Sequence, residues 1–121
     1  MKPIQHVLEA MQFIDGLYSE HGGIAYFDNE ESINQNLPEQ ITKAIKKKVL
    51  RPAYRFEGDY NFNVEEIAAV LFESIGWELK FYVYDQVFDS PGYDAYVMSY
   101  VVENKETGEQ KFSFHNLYER D

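Results

Sequence analysis

The sequence predicts an α+β domain, with about three helices in the N-terminal two thirds packed on one face of a C-terminal three-stranded antiparallel meander. Two observations carry this. Up to Ile75, apolar residues recur at three- and four-residue spacing, as on one face of a helix; from Trp77 onward the period drops to two, as along a strand. Helices first and strands afterwards, with no βαβ alternation, is an α+β order. The 121 residues are expected to form one domain over 1–121. A chain of this size can bury a core without a metal or disulfides, and 45% hydrophobic and 17% aromatic residues supply one.

Residues 3–20 place Ile4, Val7, Leu8, Met11, Ile14, Leu17 and Tyr18 on one helical face, with Pro3 near the first turn and His21-Gly22-Gly23 as the stop. Residues 24–27, IAYF, can form a short strand, and the acidic DNEES that follows reads as a loop. After Pro38, EQITKAIKKKVL predicts a helix with Ile41, Ala44, Ile45 and Val49 on one side, ended by Pro52. Its lysines cluster toward the C-terminal end, where the helix dipole favours cations. Residues 53–62 read as a connection or irregular strand. Asn63 then caps a helix running to about Ile75, with Glu66 completing a capping-box pattern and Gly76 as the stop. The strands are WELKFYVYD, DAYVMSYVVEN and QKFSFHN, the last two joined by KETGE, where Gly108 suits a positive φ.

Alternation sorts the strand residues onto two faces. Trp77, Leu79, Phe81 and Val83, with Ala95, Val97, Ser99 and Val101 and then Phe112 and Phe114, make an aliphatic and phenylalanine-rich side that is expected to take the helices. Glu78, Lys80, Tyr82, Tyr84, Tyr96, Met98, Tyr100, Val102, Lys111, Ser113 and His115 make an amphipathic side. Either a helix or the 24–34 segment covers that second side, or it is a docking face. In the docking reading, Tyr82, Tyr84, Tyr96 and Tyr100 are anchors rimmed by Asp85, Asp89, Asp94 and Glu103, which suits a partner rich in arginine and lysine.

Other constellations carry less chemistry. The chain has no cysteine, which excludes disulfides and thiolate sites and suits a reducing cytoplasm. His6, His21 and His115 form no ligand-spaced pair, and Asp28, Glu30 and Glu31 lack the spacing and glycine of a calcium loop. Glu78-x-Lys80 with Asp59 upstream has the residue types of a metal-dependent nuclease, but the triplet is short and the acidic chain suits DNA poorly. No nucleophile elbow, P-loop or dinucleotide fingerprint is present, so neither catalysis nor a cofactor is expected.

The net charge of −10 is unevenly spread. Lys43, Lys46, Lys47, Lys48, Arg51 and Arg55 make 38–57 basic, and every other segment is acidic. Such a surface repels phosphate backbones and steers basic proteins toward it, so direct nucleic-acid binding is not expected. No membrane span or leader is expected either, and a cytoplasmic protein is the simplest reading. Together these features predict an acidic protein-binding inhibitor. It would neutralise a basic partner, such as a nuclease toxin or another nucleic-acid-handling protein, by covering its basic surface, as toxin-immunity and phage counter-defence proteins do. The alternatives are a self-associating structural subunit or homodimer, driven by the basic segment meeting the acidic sheet or by the tyrosine face, and a small-ligand protein with a pocket between helices and sheet.

Overall fold

His6 caps the first helix: its Nδ1 accepts the Leu8 N–H at 3.4 Å, so α1 (Val7–His21) begins four residues later than Pro3 suggests. This computed structural model describes residues 2–53 and 60–119. Ile4, before the cap, is held by the side chain of Gln40, which bonds both its N–H and its carbonyl. Gly22, at φ 76°, ends α1 and returns its N–H to the Tyr18 carbonyl. The buried stripe Val7, Ala10, Ile14, Leu17 and Tyr18 follows the predicted spacing.

β1 (Ile24–Phe27) pairs antiparallel with β2 (Tyr60–Asn63), from Ile24↔Asn63 to Phe27↔Tyr60. Between β1 and β2 the DNEES segment is not the loop the sequence suggests. Asn29 Oδ1 accepts the Ser32 N–H at 2.8 Å and starts a short helix, α2 (Glu30–Asn36), whose acidic first turn suits the helix dipole. α3 (Glu39–Lys46) is shorter than expected: Lys48 takes a φ of 61°, and the N–H groups of Val49 and Leu50 fold back onto the Ala44 carbonyl. Val49 is therefore 69% exposed, while Leu50 enters the core at 2%. Of the residues 53–62 read as a connection, 54–59 lie outside the described set.

α4 (Val64–Ser74) starts at Asn63, but the predicted capping box does not form. The Asn63 side chain makes no cap hydrogen bond, and the Val64 N–H goes instead to the Gly23 carbonyl at 3.0 Å. α4 buries Val64, Ile67, Ala68, Leu71 and Phe72, and Gly76, at φ 83°, turns the chain into the sheet. β3 (Trp77–Ser90), β4 (Tyr93–Asn104) and β5 (Gln110–Glu119) form an antiparallel meander in the order β3-β4-β5. This is the predicted α+β architecture, with four helices among the described residues rather than about three. No helix among the described residues is long and apolar enough to cross a membrane.

The helices take the face of the sheet opposite to the one expected. Leu79 pairs with Val102 and Phe81 with Val101, which leaves Lys80 as an extra, unopposed residue in β3. Such a bulge shifts the side-chain phase of the residues after it by one, here as far as a second register shift between Gln86 and Phe88. Trp77 and Leu79 face inward before it, and Tyr82 follows them inward after it, so the supposed single face Trp77–Leu79–Phe81–Val83 is split. On β4, Met98, Tyr100 and Val102 are fully buried with α1 and α4 residues in one core cluster. Each such burial contributes about 1.5–3 kcal/mol. Phe112, Phe114 and Phe81 are 68%, 57% and 55% exposed on the outer side.

Candidate functional site

The four tyrosines expected to anchor a partner are divided between the core and its edge. Tyr100 donates from its hydroxyl to Asp15 Oδ1 at 3.2 Å, with the Met11 carbonyl 3.4 Å away, and the same carboxylate accepts the Ser113 hydroxyl at 3.1 Å. Burial first, then the nearby Asp15 carboxylate, pushes the Tyr100 pKa well above the ordinary phenol value. Tyr82 stacks on Tyr100 with ring centres 6.3 Å apart, and burial followed by Glu65 raises its pKa too. Tyr84 stacks on Tyr96 at 5.8 Å and meets the edge of Tyr18 at 5.7 Å. These rings join helix α1 to the sheet, so Tyr100 belongs to the core, whereas Tyr84 at the edge stays 41% exposed.

The acidic rim dissolves with it. Asp85 and Glu103 lie opposite Val97 and Glu78 on the outer face, whereas Asp94 accepts a hydrogen bond from Gln86 Nε2 at 3.3 Å. Asp89 lies on β3, but its side chain is outside the described set. Lys80 sits 3.8 Å from Glu78 and 3.7 Å from Glu103, so the Glu-x-Lys triplet is an ion-pair network. Its third member, Asp59, is outside the described residues, as is Arg55. Lys43 bonds Glu39 at 2.8 Å and holds that carboxyl below the usual range. The histidines stay apart: His6 caps α1, and His115 shares a 2.7 Å hydrogen bond with Ser19. Among the described residues no group of three His, Asp or Glu side chains could hold a metal ion.

Tyr84 depends on the glycine turn beneath it. A Cβ at Gly23 would lie 3.1–3.2 Å from three atoms of its ring, closer than packed carbons normally approach. Gly23→Ala is therefore expected to cost about 1–3 kcal/mol, read by urea unfolding, and the cost should shrink in a Tyr84→Ala background. Equal costs in both backgrounds would mean that the contact is not what requires glycine.

Two other surfaces emerge. The first is a cleft of about 430 Å³ where the C-terminal half of α1 meets β1 and α2. Phe13, Tyr26 and Phe27 give it aromatic walls, Glu20 and Asp28 supply carboxylates, and no lysine or arginine among the described residues lines it. His21 is placed there by its Nδ1, 3.5 Å from the Tyr26 N–H, and by ring contact with Phe27 at 5.5 Å. Carboxylates beside aromatic faces suit an ammonium or guanidinium group. Glu20, Tyr26 and Asp28 come from α1, β1 and the turn after it, so no single-element pattern groups them; the acids that bracket Tyr26-Phe27 are the only sequence signal.

The second surface is the outer face of the sheet. Its rows, read across β3, β4 and β5, are Glu78–Glu103–Gln110, Phe81–Val101–Phe112, Val83–Ser99–Phe114 and Asp85–Val97–Asn116. The middle two rows carry no charge. No protein family, curated protein or solved structure matches the chain.

Proposed function

We propose that the protein is a non-catalytic, cytoplasmic inhibitor that binds a basic, nucleic-acid-handling partner protein and covers the surface with which that partner holds phosphate. The observation that carries this reading is the aromatic, carboxylate-bearing cleft between α1, β1 and α2 on a chain of net charge −10. The charge steers a basic protein inward at a distance, and the cleft receives one of its arginine or lysine side chains. Phe13 and Tyr26 face the cation while Glu20 and Asp28 neutralise it. Proteins that hold nucleic acid expose such cations for phosphate contacts, so occupying them competes directly with the nucleic acid.

The test is capture from native extract at low and moderate salt, comparing the wild type with the double variant Glu20→Gln plus Asp28→Asn. The wild type should retain one basic protein at moderate salt and suppress its nucleic-acid binding. The double variant should bind it about tenfold more weakly, as the loss of roughly 1.4 kcal/mol implies. Recovery of no basic protein, or equal capture by the variant, rejects the reading.

A further inference from the structure

We propose that a second copy of this chain covers the outer face of the β3-β4-β5 sheet, burying Phe81, Phe112 and Phe114 in a twofold-symmetric dimer. Three facts select a second copy over a basic partner on this face.

The first is charge. The two central rows, Phe81–Val101–Phe112 and Val83–Ser99–Phe114, hold no ionisable side chain. Of the adjoining rows, one holds Glu78 and Glu103, which already have Lys80 beside them, and the other brings the single carboxylate of Asp85. A basic protein would find little here to pair with, whereas an uncharged apolar face is complementary to itself.

The second is relief. On the edge strands Phe112, Phe114 and Phe81 stand more than half exposed, while Val97, Ser99 and Val101 on the central strand are half-buried. The face is thus a shallow trough along β4 beside the β5 aromatic ridge. A twofold axis along the strands lays each β5 ridge in the other copy's β4 trough, at the roughly 10 Å spacing of packed sheets.

The third is area. At about 200 Å² for a whole phenylalanine, three rings exposed to this degree leave roughly 350 Å² of aromatic surface. With the valines the patch reaches about 500–600 Å², the upper end for a soluble monomer. Two copies would bury on the order of 1,000–1,200 Å², the size at which specific interfaces begin.

The electrostatics give the dimer a signature. Each copy carries −10, so the copies repel each other through water, and added salt screens that repulsion without weakening apolar burial. Sedimentation equilibrium of the full chain, across concentration at low and high salt, is the experiment. The expected result is a concentration-dependent rise toward twice the monomer mass of 14.2 kDa, with the dissociation constant falling as salt is added. The variant pair Phe112→Ser plus Phe114→Ser should remain monomeric while keeping the far-ultraviolet circular dichroism of the wild type. Three results overturn the proposal: a monomer at every concentration, a dimer that loosens with salt, or a folded serine variant that dimerises like the wild type. A dimer that loosens with salt would assign the contact to the basic stretch around Lys43–Lys48 meeting acids of the other copy. The wild-type salt titration decides even if the variant fails to fold. The cleft lies in the helical layer, so the Glu20 and Asp28 variants keep the dimer face intact and should still dimerise, with less mutual repulsion.

Discussion

Replacing Tyr100 by alanine should remove about 3–5 kcal/mol of folding stability, whereas Phe112→Ala, measured at concentrations where the chain is monomeric, should change it by about 0.5 kcal/mol or less. Tyr100 is fully enclosed between α1, α4 and β3, where its ring contacts Phe72 and Tyr82 and its hydroxyl anchors Asp15. Truncation leaves a cavity and strips a hydrogen bond from a carboxylate. Phe112 projects from the other face and is 68% exposed, so truncation empties no cavity. Urea unfolding with an unchanged m-value checks both. A small loss at Tyr100 and a large one at Phe112 would place the helices on the phenylalanine side. Tyr100→Phe separates the two contributions at Tyr100: it keeps the ring, loses only the hydrogen bond, and should cost about 1 kcal/mol.

Alkaline pH should unfold the protein in a way that traces to the same side chains. In the unfolded chain a tyrosine ionises near pH 10, while burial keeps Tyr100 protonated to higher pH. Above about pH 10 the unfolded state therefore binds fewer protons than the folded one, and stability falls as pH rises. This contribution is complete below the unfolded pKa and is lost as pH climbs toward the folded value. The slope from Tyr100 alone approaches about 1.4 kcal/mol per pH unit. Tyr82, whose hydroxyl is also buried, shifts in the same direction and adds to the slope. Two pH units above 10 would consume about 3 kcal/mol, a large part of the stability of an ordinary small domain. Tyr100→Phe should flatten the curve between about pH 10 and 12. An unaltered slope in that variant would trace the alkaline loss to other groups.

How much of this was legible depended on whether the signal lay within one element. The stripes of α1 and α4 follow the three- and four-residue spacing, and the strands follow alternation, so class and order were readable. The buried face was not. β4 offers Val97 and Val101 on one side and Met98 and Val102 on the other, and nothing local ranks these pairs. Which β3 residues join the buried β4 face is set by the bulge at Lys80, a property of the pairing between β3 and β4 rather than of either strand. α2 escaped notice because its seven residues bury only Ile33, too little for a period to show. Tyr100 was placed on the wrong face for the first reason: one residue of phase separates a tyrosine surface from a tyrosine core. The cleft was hidden because its carboxylates and rings come from different elements.

The hydrogen-bonded pair Phe27↔Tyr60 has a consequence for how this protein can change over generations. The chain leaves the β1–β2 clip at Phe27 and returns to it at Tyr60, so everything between is an excursion whose two ends are held side by side. That excursion contains the basic segment and α2, one wall of the cleft, while α1, α4 and the sheet form a frame outside it. Because the clip fixes its closure, the excursion can gain, lose or exchange exposed residues without altering the register of the frame. Its buried Ile33, Leu37, Ile41 and Leu50 must be kept as a floor, but the side chains above them can vary. A lineage under pressure to recognise new partners thus has a replaceable cassette on a constant body, and differences between descendants should accumulate between Phe27 and Tyr60.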